Sequence, residues 1–339
     1  MKHFSTRIIV LALFVAILST LFIGCGSDEA PHTCQFKNGE CKCGKIDETY
    51  YSEGMEFLLD EEKQEYTVIG YEGEDVKLMI PATYMGLPVT KIADSAFSYD
   101  MSYGMVHIGK NVHTIGEKAF YGAQRLVKIT IPEQIKNIGL EAFGGCVKVR
   151  EIHFNAINCN SPYPDKNFAT RMEGIWTHVG KDSLTKECVL YIGNKVKAIP
   201  DGMFHLPSDA QKAYITSVIF EDNSQCQSIG NCSFYNLRKL ATMEFGENSS
   251  LKRIGQTAFG NSFLVEEYVI PDTIEVIEKH AFGGNTKLTR IVLPQSNWLA
   301  IRYSQGVEID RLTFSTSTPE ENRKIISDYG YYNLTRQVG

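Results

Sequence analysis

Apolar positions along this chain recur in a frame of about 23 residues. The string Ile-x-x-x-(small)-Phe occurs as Ile92 to Phe97, Ile115 to Phe120, Ile138 to Phe143, Ile229 to Phe234, Ile254 to Phe259 and Ile277 to Phe282. A looser copy, Ile199 to Phe204, carries Met203 in the small slot. The phenylalanines are spaced 23, 23, 61, 30, 25 and 23 apart. Three residues before each isoleucine stands Val89, Val112, Ile135, Val196, Cys226, Leu251 or Ile274. A fixed period of this length marks stacked structural repeats.

The polar positions show what each unit does. After the phenylalanine comes an alternating stretch such as Leu126 to Ile131, Val149 to Phe154, Leu240 to Phe245, Val265 to Ile270 or Leu288 to Leu293. Period-two alternation predicts a short strand with one face buried. Pro132, Pro271 and Pro294 follow three of these stretches; proline has no N–H to give a ladder and ends the strand. The chain then returns through Val/Ile-x-x-Ile and closes in a tight turn ending in Ala-Phe, predicted as one helical or 3₁₀ turn. No unit can bury its own apolar face, so the units must stack. The predicted fold is a solenoid with short parallel strands on its concave side and tight turns or short helical segments on its convex side.

This pattern resembles the BspA-like leucine-rich repeat family of bacterial surface proteins, over about Tyr66 to Pro294. The run Tyr66 to Gly73, then Ile80-Pro81, then Gly86 to Ile92, looks like that family's opening. The resemblance implies a protein-interaction or adhesion role and no chemistry.

The period breaks most widely between Phe143 and Phe204. That 61-residue gap is not a whole number of units, and residues 155–186 read as an irregular insertion. Cys159 and Cys188 flank it and could bridge its base. Long loops on a rigid scaffold carry binding sites or simply decorate a rung. The C-terminus changes character: Thr318-Pro319-Glu320-Glu321 is a helix-start signal, Gly330 a stop, and Tyr331 to Val338 a final strand. A helix–strand cap over 295–339 would cover the last rung. The domain organisation expected is a leader over 1–24, a linker over 25–55, a solenoid over 56–294 and that cap.

The leader has Lys2 and Arg7 before an apolar run from Ile8 to Ile23. A basic head, a short apolar stretch and a small residue describe a secretory signal, and the run is short for a membrane span of ~20 residues. Phe22-Ile23-Gly24-Cys25 resembles the bacterial lipobox, with Phe22 departing from the usual aliphatic residue. The resemblance implies a diacylglycerol on Cys25. The acidic Ser27-Asp28-Glu29 that follows resembles the tag that directs some lipoproteins to the outer face of the outer membrane.

Removing the leader leaves 32 bases against 40 acids. An acidic body without Lys/Arg clusters argues against a nucleic-acid partner. The nine cysteines are scattered, and Cys34-x6-Cys41-x-Cys43 does not match the spacing of structural zinc sites. A local disulfide or loose linker is expected there, and no metal or cofactor. No Gly-x-Ser-x-Gly, His-Glu-x-x-His or phosphate loop is present. His107 and His153 fall two rungs apart, ~9.6 Å at the sheet spacing, too far to share one metal.

The outward strand positions form the candidate binding face: Met105 and His107, Lys128 and Thr130, Glu151 and His153, Val189 and Tyr191, Ser217 and Ile219, Thr242 and Glu244, Glu267 and Val269, Arg290 and Val292. Its single aromatic, Tyr191, gives no stacking platform for sugars, and a mixed strip suits a protein partner. The expectation is a non-enzymatic, lipid-anchored surface protein that binds a protein of a host or neighbouring cell. The alternatives are a glycan-binding accessory protein and a structural envelope protein without a ligand.

Overall fold

The structure, a computed structural model, describes residues 34–163, 174–181, 187–206, 213–262, 264–278, 280–288, 290–292 and 300–301. The leader, Cys25 and the expected cap helix lie outside these residues. The chain divides into two units, one ending at Asp47 and one beginning at Glu48.

The described part of the first unit is a small antiparallel hairpin, Phe36–Lys37 with Glu40–Cys41. Its two turn residues, Asn38 and Gly39, have φ of 49° and 74°. Positive φ at both places is the mirror-image turn that matches strand twist, and Asn-Gly is its commonest sequence.

The second unit opens with a hairpin that the repeat pattern did not announce. Strand Met55–Asp60 pairs antiparallel with Glu65–Tyr71. Asp60 Oδ1 accepts from the backbone N–H groups of Glu62 and Lys63, and its other oxygen pairs with Lys63 Nζ at 3.0 Å. Glu65–Tyr71 then pairs parallel with Leu87–Ile92, so the hairpin occupies the first edge of the solenoid sheet.

Two families of strands build the solenoid. The longer ones, Lys128–Ile131, Glu151–Phe154, Cys188–Ile192, Ile215–Phe220 and Thr242–Glu244, form one parallel sheet. Lys77–Ile80 with Met105–Ile108, and Glu267–Val269 with Arg290–Val292, repeat the same pairing. Ile129, Ile152, Leu190, Val218 and Met243 stand in one register and are all buried. Their neighbours in the strand point outward, as the alternation requires. Two-residue strands carry the repeat isoleucine. Ser228–Ile229, Arg253–Ile254 and Val276–Ile277 pair in parallel, and Ile229, Ile254 and Ile277 are buried.

The third side is the turn, and here the structure corrects the expectation of helical segments: among the described residues there is no helix. The residue two before each phenylalanine is left-handed. Ser95, Lys118, Glu141, Cys232, Thr257 and His280 have φ between 52° and 59°. One such residue is enough to stop a right-handed helix and costs about 1–2 kcal/mol when it is not glycine. The compensation comes from the next rung. The amide of Phe97 donates to Ala119 O at 2.8 Å, Phe120 to Ala142 O at 2.8 Å, Phe234 to Ala258 O at 2.8 Å and Phe259 to Ala281 O at 2.8 Å. Helical i to i−4 bonding is thus replaced by a ladder between units.

The phenylalanines stack as one buried column. Ring centroids are 5.1 Å apart for Phe97–Phe120, 5.3 Å for Phe120–Phe143, 5.3 Å for Phe204–Phe234, 5.3 Å for Phe234–Phe259 and 5.6 Å for Phe259–Phe282. All these pairs are within 11° of parallel. Ala119, Ala142, Ala258 and Ala281 are fully buried, which explains the small slot.

The gap in the period is filled by Trp176. Its ring lies 5.1 Å from Phe143 and 5.6 Å from Phe204 and is fully buried. Phe143 N donates to Ile175 O, and Gly145 N to Thr177 O. The insertion is therefore not a pure excursion: it contributes a rung whose column residue is tryptophan. Its Asn160 also stays on the ladder, donating from the backbone to Lys136 O.

His205 follows Phe204 into the interior. It is 3% exposed, with Tyr235 stacked on it at 5.5 Å and Tyr163 edge-on at 5.9 Å. Burial lowers its pKa to about 4, whereas the unfolded chain titrates near ~6.5. As pH falls, the unfolded state takes the proton first. The stabilising contribution of neutral His205 is complete above ~6.5 and is lost as pH drops toward about 4, by about 3 kcal/mol in all. Urea unfolding at pH 7.5 and 4.5 checks this. His205→Phe should show a smaller acid loss, and equal losses in both proteins would refute the assignment.

Candidate binding face

The strands place the expected face as a row of side chains in register. Lys128, Glu151, Val189, Ser217 and Thr242 share one line; Thr130, His153, Tyr191, Ile219 and Glu244 share the next. Met105 and His107 pair with Lys77 and Met79, and Glu267 pairs with Arg290. Met105, Thr242, Glu244 and Glu267 are exposed, while the middle of the row is half-buried.

Three adjacent strands bring four of these residues into contact. Glu151 Oε2 lies 3.2 Å from Lys128 Nζ and 3.2 Å from His153 Nε2. The His153 ring stacks on Tyr191 at 4.8 Å with a 20° tilt. His153 first, and Lys128 second, hold the Glu151 carboxylate below its usual range, so it stays ionised at neutral pH. The four form a continuous patch of cation, anion, imidazole and phenol across three rungs. Glu151 and Lys128 remain over 40% solvent-exposed, so their ion pair adds little to stability. The patch offers charged hydrogen bonds and one flat aromatic surface to a partner. The Lys128–Ile131 strand lies against both the His107 strand and the His153 strand.

Two further grooves line the solenoid. One, of about 640 Å³, runs along Lys91, Thr114, Glu117, Asn137 and Asn160. Its amides bond one another: Asn160 Nδ2 donates to Asn137 Oδ1 at 2.8 Å, and Asn137 Nδ2 to Thr114 Oγ1 at 3.4 Å. That ladder holds rungs together. The other, of about 550 Å³, lies beside Glu244 and Val269 and extends the candidate face.

The cysteines divide into two groups. Cys159 and Cys188 do not bond to each other, contrary to the bridge considered from their positions. Burial pushes the thiols of Cys146, Cys159, Cys188 and Cys226 up to about 12 and Cys232 to about 11. They stay protonated and pack as small core groups rather than as nucleophiles. Cys34, Cys41 and Cys43 are different. No local disulfide or loose linker forms; the hairpin gathers all three sulfurs within 4.8 Å of one another. The signal for this was Asn38-Gly39, which folds the chain back between them.

Parallel strands in fixed register, closed by turns and filled by an aromatic column, define a leucine-rich-repeat solenoid. The sequence profile of the BspA type leucine rich repeat region matches residues 89–170 and 197–333 with 6 copies, more than half of the chain. The chain belongs to that family, whose members are in general protein-interaction scaffolds. The stretch the profile skips holds the Trp176 rung.

Among solved structures, a leucine-rich repeat protein of T. pallidum is 21% identical, with a TM-score of 0.44 over 64% of this chain and 90% of its own. One from Bacteroides ovatus is 20% identical, with a TM-score of 0.42 over 79% of this chain and 71% of its own. One from Eubacterium ventriosum is 22% identical, with a TM-score of 0.41 over 68% of this chain and 48% of its own. No curated protein matches the chain.

Proposed function

We propose that this is a non-catalytic, cell-surface lipoprotein whose solenoid binds an extracellular protein through the long-strand face. The observation that carries the reading is the Lys128–Glu151–His153–Tyr191 patch, a mixed polar and aromatic surface held rigid by three hydrogen-bonded strands. Tyrosine on a rigid support is a typical anchor of a protein interface, and charged groups around it suit the polar rim. The placement at the surface rests on the lipobox-like Phe22 to Cys25 and the acidic residues after it. In this reading Cys25 carries the lipid and the outer membrane holds the protein.

Tyr191→Ala and Glu151→Ala are expected to weaken binding to a protein hit from an extracellular-protein panel by about 30-fold each, the size of an interface hot spot. Their melting temperatures should stay within a few degrees of the parent. A response confined to the glycan half of the same panel would overturn the protein-partner reading. Mass spectrometry of the N-terminal peptide, combined with protease shaving of intact cells, tests the anchor. An unmodified Cys25, or a solenoid shielded from the protease, would sink the surface placement.

A further inference from the structure

The described hairpin of residues 34–47 has too little in it to hold its own shape. Phe36, its one aromatic residue, is 46% exposed. A lone two-stranded hairpin is at best marginal in water, and modules this small are normally held by disulfides or by a metal. Its backbone nevertheless makes turn-closing bonds: Cys41 N donates to Lys45 O at 2.8 Å, Gly44 N to Cys41 O at 2.9 Å and Asp47 N to Gly39 O at 2.8 Å. The bend at Gly44, with φ of 80°, turns Cys43 back beside Cys41. The Asn38-Gly39 turn brings Cys34 across from Cys43.

The sulfur positions decide between the two kinds of staple. Cys43 Sγ lies 3.4 Å from Cys41 Sγ and 3.6 Å from Cys34 Sγ. A disulfide needs ~2.05 Å, joins two sulfurs and leaves the third over. One metal ion at ~2.3 Å from each thiolate sets its sulfurs ~3.8 Å apart and uses all three. Thiolate ligands select soft, thiophilic ions.

We propose that Cys34, Cys41 and Cys43 form a site for one closed-shell thiophilic cation, Zn²⁺ or Cu⁺, which holds the hairpin closed. Zn²⁺ takes the three sulfurs plus one solvent ligand; Cu⁺ takes the three alone. Binding releases the thiol protons to solvent. Because only the thiolate binds, affinity rises with pH. All three cysteines belong to the unit that ends at Asp47.

The test uses the full chain, purified in detergent, reduced and metal-free, and titrated with Zn²⁺ and separately with Cu⁺ in competition with a chelator. One equivalent of one of the ions should bind, and the two titrations identify which. Cys34→Ser, Cys41→Ser and Cys43→Ser should each weaken binding by more than the ~10–100-fold that loss of an outer partner brings. Cys232→Ser should not. Hydrogen exchange should show residues 36–46 gaining protection on metal addition while the solenoid strands stay unchanged. The proposal fails if the reduced protein takes up neither ion stoichiometrically. It also fails if Ser at any one of the three positions leaves affinity intact, or if the protein from cells carries a Cys34–Cys43 disulfide and binds metal no better once reduced.

Discussion

Phe120→Ala is expected to destabilise the solenoid by about 3–5 kcal/mol, a large share of the ~5–15 kcal/mol that holds a typical domain. Phe120 is fully buried, stacked between Phe97 and Phe143, with Tyr103 edge-on at 6.5 Å. Truncation removes both stacking contacts at once and leaves a cavity between two rungs that are also tied through Ala119 O and Ala142 O. The backbone ladder prevents the rungs from collapsing into the space, so the cavity persists. Phe120→Leu should lose less, since it refills most of the volume. Phe36→Ala, at an exposed ring, should change solenoid stability by less than ~0.5 kcal/mol. Urea unfolding followed by circular dichroism gives the comparison. A Phe120→Ala midpoint equal to that of Phe36→Ala would mean that the column does not couple the rungs.

The column was legible because every rung meets the same neighbour. The same volume must be filled each time, so the same residue type returns at the same offset. The outward row was legible for a related reason: alternation within a strand and a fixed step between strands are both local rules. Lys128 and Glu151 differ by 23, as do Thr130 and His153, so their pairing follows from the period alone. Tyr191 stands 38 residues after His153, across the insertion. Its stacking on His153 follows only from the observed register, and no offset announces it.

The turn was misread because its conformation is set from outside. Gly116-Glu117-Lys118-Ala119 contains good helix formers, and by propensity alone a helical turn is the better choice. The strain of a left-handed Lys118 is offset by bonds to the next rung, such as Lys118 N to Leu140 O at 3.0 Å and Phe120 N to Ala142 O. Those partners lie 22 residues away and are invisible to a local rule. The thiol cluster was missed for the opposite reason: the spacing was compared with known metal motifs, while the Asn-Gly turn that closes it was left unused.

Trp176 shows how far chemistry can depart from a repeat while its packing is kept, and it carries the other large expected effect. Trp176→Ala is expected to cost about 3–5 kcal/mol and to split unfolding into two transitions. In a solenoid each rung touches only its neighbours, so stability is a sum of rung and interface terms. Among the described residues Trp176 is the one column residue between Phe143 and Phe204, and its Nε1 donates to Met203 O at 3.0 Å. Removing it weakens both adjoining interfaces together. The rungs ending at Phe143 and those starting at Phe204 would then be joined mainly through the strand pairs on either side of Cys188–Ile192. Trp176→Phe should restore the stack and one transition but not the indole hydrogen bond, leaving a deficit of about 1 kcal/mol or somewhat more. Calorimetry reads the number of transitions directly. A single cooperative transition in Trp176→Ala, shifted no further than in Trp176→Phe, would show that this rung is a decoration rather than the joint of the solenoid.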